Sequence, residues 1–96
     1  MSDLGRQVRL NRIMSARRNR LLGLWAAEKL GMSGDAATAY AKEVVAADFE
    51  EAGDADVLRK LTTDFAAKNV NVTEQAIRAR MSELMAVAAA EVKAGK

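Results

Sequence analysis

The chain is 96 residues long, carries a formal net charge of +2 and contains no proline, cysteine or histidine. This length suits one domain with a modest core, and the missing residue types exclude a disulfide framework and the usual thiolate or imidazole zinc sites. We therefore expect no cofactor and no metal.

Charge is distributed unevenly along the chain. Residues 1–20 carry six arginines against one aspartate, a net charge of +5, whereas residues 21–96 carry a net charge of −3. The longest apolar run, residues 21–27, is far shorter than the roughly 20 residues that span a bilayer, and the amino terminus does not match a secretory signal. These features predict a cytoplasmic protein with a basic arm on an acidic body.

Four helices are predicted, because 20 of the residues are alanine, the best helix former, and none is proline, the worst. They cover about residues 4–30, 35–50 and 55–68, with a fourth that begins after Thr73. Gly31 follows the first helix, where glycine readily adopts the left-handed conformation. Thr73 is expected to cap the fourth helix, with Val72 packed on Ile77 as a hydrophobic staple.

Each predicted helix has an apolar face at helical spacing. The expected inner residues are Leu10, Met14, Leu21 and Trp25 in the first helix; Ala37, Tyr40, Ala41, Val44 and Val45 in the second; Val57, Leu58, Leu61 and Phe65 in the third; and Ile77, Met81, Leu84 and Ala88 in the fourth. The run 21–27 is apolar all round, which predicts a buried segment with Trp25 in the core. Isolated helices of this length are marginal in water. The pattern therefore predicts an all-α four-helix bundle, residues 19–96, preceded by a partly mobile amino-terminal arm, residues 1–18.

The acidic stretch "DFEEAGDAD", residues 48–56, does not have the spacing of an EF-hand calcium loop. Carboxylates at the end of one helix and at the start of the next explain it better, because acids near a helix amino terminus complement the helix dipole. No nucleophile is paired with a base and no glycine-rich phosphate loop is present, so the sequence does not predict an enzyme.

The basic arm has several possible uses. Arg6, Arg9 and Arg12 recur every three residues and share one face of a helix, while the arginines at positions 17, 18 and 20 surround its axis. Such a patch binds phosphates, anionic lipid or an acidic groove of a protein, or it is simply a solvated helix end. The arm has no aromatic side chain to stack on bases and little apolar bulk for membrane insertion.

Two long blocks point to a family. The stretches "RRNRLLGLWAAEKLG", residues 17–31, and "AYAKEVVAADFEEAGDADVLRKL", residues 39–61, resemble the alphaproteobacterial zeta subunit, the inhibitor of the rotary F-type ATP synthase. The likeness extends from about Ala16 to Leu84. It implies a four-helix bundle that anchors on the catalytic head of the ATP synthase, and therefore a protein peripheral to the inner membrane. It also implies an amino-terminal segment that becomes helical and blocks rotation against the alpha, beta and gamma subunits.

The resemblance locates the inhibitory contacts in the arm of this chain. The implied partner-binding residues are Leu4, Arg6, Val8, Arg9, Leu10, Arg12, Ile13, Arg17 and Arg18. The family's segment is longer, contains phenylalanine and mixes acids with bases, so weaker inhibition is expected here. Two alternatives stay open: a divergent paralogue that keeps the bundle without inhibiting, and a helical nucleic-acid binder that uses the arm together with Arg78 and Arg80.

Overall fold

The computed structural model describes the backbone of residues 3–47 and 55–95, and side chains from residue 9 onward within those ranges. These residues form four helices: α1 (Asp3–Lys29), α2 (Gly34–Ala47), α3 (Ala55–Ala67) and α4 (Glu74–Lys93). No strand occurs in the described ranges, which confirms the predicted all-α four-helix fold. Residues 48–54, with most of the acidic stretch and its predicted helix ends, lie outside the described residues.

Local sequence determines two of the helix ends. Gly31 follows α1 with a φ angle of 84°, the left-handed conformation that was predicted for it. The Thr73 hydroxyl accepts a hydrogen bond from the backbone N–H of Ala76 at 3.0 Å, which confirms the cap of α4. Val72 packs against the core cluster that contains Ile77, in agreement with the predicted staple.

The core lies between the four helices and contains most of the predicted residues of α2, α3 and α4. The buried side chains of these helices are Tyr40, Ala41, Val44, Val57, Leu58, Leu61, Phe65, Ile77, Met81 and Ala88. Ala37 and Leu84 are partly buried against this cluster. The amphipathic pattern of these three helices therefore predicted their inner faces well, because large apolar residues recur on one side only.

The inner face of α1 was predicted wrongly. Its expected residues, Leu10, Met14, Leu21 and Trp25, are all only partly buried. The buried residues are Arg18, Asn19, Leu22, Gly23, Ala26 and Ala27. Helices approach most closely where side chains are small, and a periodicity of large apolar residues does not detect such positions. The predicted burial of the run 21–27 is confirmed in part, because four of its seven residues are buried and the other three are partly buried.

The amino-terminal half of α1 extends beyond the helices that the structure describes. α4 runs antiparallel to α1, because Arg17 contacts Glu91 near the end of α4 while Trp25 contacts Arg80 near its beginning. Since α4 ends two residues after Glu91, residues 3–14 of α1 reach about 18 Å past it at 1.5 Å per residue. No described side chain in residues 9–17 is buried. Among the residues that the structure describes, this part of α1 is thus a projecting helix.

Candidate functional site

The predicted arm residues lie in the projecting part of α1 and in its first turn inside the bundle. Arg9, Arg12 and Ile13 are exposed, and Ile13 retains 43% of its accessible surface. Leu10 is partly buried. Three further predicted residues are part of the α1 helix, but their side chains lie outside the described part of the chain: Leu4, Arg6 and Val8.

The remaining two predicted arm residues belong to the bundle. Arg18 is buried, with 2% of its surface exposed, and its Nε donates a hydrogen bond to Oδ1 of Asn19 at 2.6 Å. Arg17 is partly buried, and its Nη1 lies 3.4 Å from Oε1 of Glu91. The assignment of Arg18 to an exposed contact surface does not agree with this burial. The sequence alone does not show which of these adjacent arginines is buried, because burial depends on the helices that pack against α1.

Arg9, Arg12, Ile13 and Arg20 form one exposed surface of α1, which we call the basic face. At 3.6 residues per turn these positions fall within an arc of about 100°. Arg20 was not among the predicted contact residues. It follows Arg9 by about three helical turns, so the spacing already indicated that the two arginines share a face. All four side chains are exposed.

The arginines of the basic face lack carboxylate partners within the described part of the chain. Several other cations of the bundle are paired: Arg17, Arg59, Lys60, Arg78 and Arg80. An unpaired arginine presents a planar set of N–H donors that suits carboxylate or phosphate oxygens. The basic face is therefore the part of the described surface best suited to an anionic partner.

A groove with a volume of about 510 Å³ opens beside Trp25. The ring systems of Trp25 and Phe65 pack in T-shaped geometry, with centroids 6.0 Å apart. Nζ of Lys29 and Cζ of Arg80 each lie 5.5 Å from its ring centroid, in the range of cation–π contacts. Trp25 is only partly buried and packs against the core cluster, whereas full burial inside the core was predicted. Four apolar side chains share the groove with it: Leu24, Met32, Ala37 and Leu84.

A polar cluster joins α2 to α3. The Tyr40 hydroxyl donates a hydrogen bond to Oδ2 of Asp64 at 2.7 Å, and Nζ of Lys60 donates to the same oxygen and to Oε1 of Glu43, both at 3.1 Å. Burial, reinforced by this hydrogen bond and by the charges of Asp64 and Glu43, raises the pKa of Tyr40 far above its ordinary value of 10.0.

The same cluster keeps Lys60 charged. Burial by itself lowers the pKa of Lys60, but its hydrogen bonds to Asp64 and Glu43 outweigh that effect and raise the pKa above 10.5. Both proton donors of the cluster therefore stay protonated at neutral pH, and neither is poised as a base or nucleophile. The cluster links α2 to α3.

These features define a class of protein: a small all-α bundle with an exposed basic face. Within residues 3–47 and 55–95, no group of three or more acidic, histidine or cysteine side chains is placed to hold a metal ion. No described helix combines the length and apolar character needed to cross a membrane. What the fold offers instead is the exposed basic face and the Trp25 groove.

Comparison with known proteins gives the family. The family model described as ATPase inhibitor subunit zeta matches residues 6–91, and the chain belongs to this family. Membership gives the protein a regulatory, non-enzymatic role as an ATP synthase inhibitor. A protein whose solution NMR structure is known is 50% identical, over 91% of this chain and 99% of its own, with a TM-score of 0.79. No curated protein matches the sequence.

Proposed function

We propose that the protein inhibits ATP hydrolysis by binding the catalytic head of the F-type ATP synthase, where the alpha, beta and gamma subunits meet, and by blocking rotation with its projecting helix. The observation that carries this proposal is the extension of α1 past the end of α4, with no buried side chain in residues 9–17. A helix attached to a folded bundle at one end only can enter a cleft in a larger assembly. Such a protein works in the cytoplasm, at the membrane face that holds the ATP synthase.

The inhibition we propose is mechanical. A helix held between a rotating and a stationary subunit raises the barrier to rotation without touching the nucleotide chemistry. A single projecting helix is marginally stable in water, so part of the binding free energy is used to order it. Its contacts must exceed that cost before rotation is blocked.

We propose that the two functions are divided along the chain. Residues 1–16 supply the inhibitory contacts, through Leu4, Arg6, Val8, Arg9, Arg12 and Ile13. Arg17 and Arg18 connect the arm to the bundle, because one pairs with Glu91 and the other is buried beside Asn19. The bundle then serves as the anchor on the catalytic head.

Two exposed apolar residues provide a matched test of this proposal. Ile13 lies on the projecting helix and Val87 on α4, and their exposed fractions are nearly equal, 43% and 42%. ATP hydrolysis by an isolated alphaproteobacterial catalytic head is measured with increasing amounts of full-length protein and of the Ile13→Asp and Val87→Asp variants. We expect Ile13→Asp to lose inhibition by at least about tenfold in potency, since apolar anchors dominate protein interfaces, while Val87→Asp inhibits like the unsubstituted protein.

A truncated chain that begins at Ser15 separates anchoring from inhibition. It keeps both the Arg17–Glu91 contact and the buried Arg18, and circular dichroism checks that it is folded. The proposal requires that this chain still binds the head but no longer slows hydrolysis. Equal inhibition by the truncated and full-length chains would show that the arm is irrelevant, and binding of full-length protein without inhibition would support the anchor-only alternative.

A further inference from the structure

The basic face is not confined to the projecting part of α1. Arg9, Arg12 and Ile13 lie in the projection, but Arg20 lies beside the buried residues Asn19 and Leu22, within the bundle, and is still exposed. The exposed side chain between them is only Ala16. Because the side chain of Ala16 is small, another helix can approach α1 closely at this position. The arginines then lie on both sides of the line of contact.

The same surface leads into the Trp25 groove. Leu24 follows Arg20 by about one helical turn on the same side of α1, and it lines the groove with Trp25 and Leu84. From Arg9 to Leu24 the surface is about 22 Å long, at 1.5 Å per residue. One end is therefore cationic, and the other is a depression of about 510 Å³ with a mostly apolar lining, in which Glu28, Ser33 and Arg80 also take part.

We propose that this continuous surface of α1, from Arg9 to Leu24, is the docking site for one acidic amphipathic helix of the ATP synthase head. Carboxylates of that helix contact Arg9, Arg12 and Arg20, and a bulky apolar side chain from it enters the Trp25 groove. The inference rests on the proposed function and extends it, because it assigns the bundle part of α1 a contact with the same partner.

The chemistry of the surface favours a protein partner. Guanidinium groups without carboxylate partners complement carboxylates, and the groove suits one apolar anchor of the kind that dominates protein interfaces. A single-stranded nucleic acid requires aromatic side chains placed along the basic surface, whereas Trp25 is recessed beyond its end. An interfacial membrane helix requires a broad apolar face, whereas Ile13 is the sole large apolar side chain exposed on the described part of α1.

Binding kinetics test the two ends of the surface separately. An isolated alphaproteobacterial catalytic head is immobilised, and association and dissociation rates are measured for the full-length chain at several salt concentrations. The combined variant Arg9→Glu, Arg12→Glu and Arg20→Glu reverses the basic face. Its control, Lys42→Glu, Lys68→Glu and Lys93→Glu, makes the same change of charge at three exposed positions elsewhere.

The groove is tested with a substitution of its rim. Ser33 is exposed and lines the groove, so Ser33→Phe fills it. The control, Ser82→Phe, places the same side chain on an exposed position of α4. Circular dichroism and melting curves confirm that all four variants are folded.

We expect reversal of the basic face to slow association about tenfold or more and to remove most of its salt dependence, because complementary charges act mainly on encounter. We expect Ser33→Phe to speed dissociation about tenfold, since loss of an apolar anchor acts mainly on the lifetime of a complex. Rates equal to those of the matched controls would overturn the docking surface while leaving the proposed function intact. Failure of the unsubstituted protein to bind the head would overturn the proposed function itself, and binding to a short DNA instead would replace it with the nucleic-acid alternative.

Discussion

Gly23 of α1 lies so close to Ala41 of α2 that a Cβ atom on Gly23 would be 2.7 Å from the Cα of Ala41. The same atom would lie 3.2 Å from the Cβ atoms of both Ala41 and Val44. Because the nearest atom belongs to the backbone of α2, it cannot rotate away. The separation of the two helices is therefore set by the absence of a side chain at position 23.

Gly23→Ala should lower the free energy of unfolding by up to about 2 kcal/mol. Alanine improves helix propensity by about 1 kcal/mol over glycine, but the forced separation of the helices costs about 1–3 kcal/mol or more. Urea denaturation measures the difference. Ser82→Ala, an exposed position on α4, should be neutral or slightly stabilising. A Gly23→Ala protein more stable than the original would contradict the close approach of α1 and α2.

Arg18→Ala should destabilise the fold by about 2–3 kcal/mol, because the packing of the buried stem and the hydrogen bond from Nε of Arg18 to Oδ1 of Asn19 are lost. Arg20→Ala should change stability by less than about 0.5 kcal/mol, as expected for an exposed residue. Thermal melting of the two variants compares them directly. Similar melting temperatures for both would show that Arg18 is not buried in solution.

Trp25→Ala should cost less stability than Phe65→Ala. Phe65 is 1% exposed, and truncating such a residue costs about 3–5 kcal/mol. Trp25 is only partly buried, so its truncation should cost about 2 kcal/mol, including the edge-to-face contact with Phe65 that is worth about 1 kcal/mol. Denaturant titrations of both variants give the order, and a larger loss for Trp25→Ala would place this ring in the core after all.

Stability should fall in alkali because of Tyr40. Its pKa is raised in the folded protein above the ordinary value of 10.0, so its contribution is complete below about pH 10 and is lost as the pH rises above it. The raised pKa of Lys60 acts in the same direction. Tyr40→Phe should therefore show a shallower decline in the free energy of unfolding between about pH 9 and pH 11. Parallel declines in both proteins would exclude this role for Tyr40.

Backbone amides of the projecting helix should exchange faster than those inside the bundle in the free protein. Residues 9–14 have no buried side chain, whereas residues 22–27 include Leu22, Ala26 and Ala27, each fully buried. Local opening is cheapest where few apolar contacts hold a helix. Hydrogen exchange followed by NMR resolves the two segments. Equal protection would show that the projection is held by contacts stronger than its exposure indicates.

The sequence by itself determined the features that depend on short-range physics. Gly31 and Thr73 mark helix ends because backbone geometry and a single side-chain hydrogen bond act within a few residues. The inner face of α3, with Val57, Leu61 and Phe65, was predictable because its large apolar residues recur on one side only. The family was recognisable for a related reason, since it depends on ordered blocks of residues rather than on their contacts.

Only the tertiary structure decided which side of α1 is buried. Along α1 both the apolar and the basic residues occur on several sides, so which of them meets a neighbour depends on how α2 and α4 cross it. In this packing α1 approaches α2 closely at Gly23, Arg18 is buried, and Trp25 is only partly buried. This packing also leaves Arg20 on the same exposed surface as Arg9. Residue spacing puts Arg9 and Arg20 on one side of α1, but only the packing of the other helices decided that this side stays exposed.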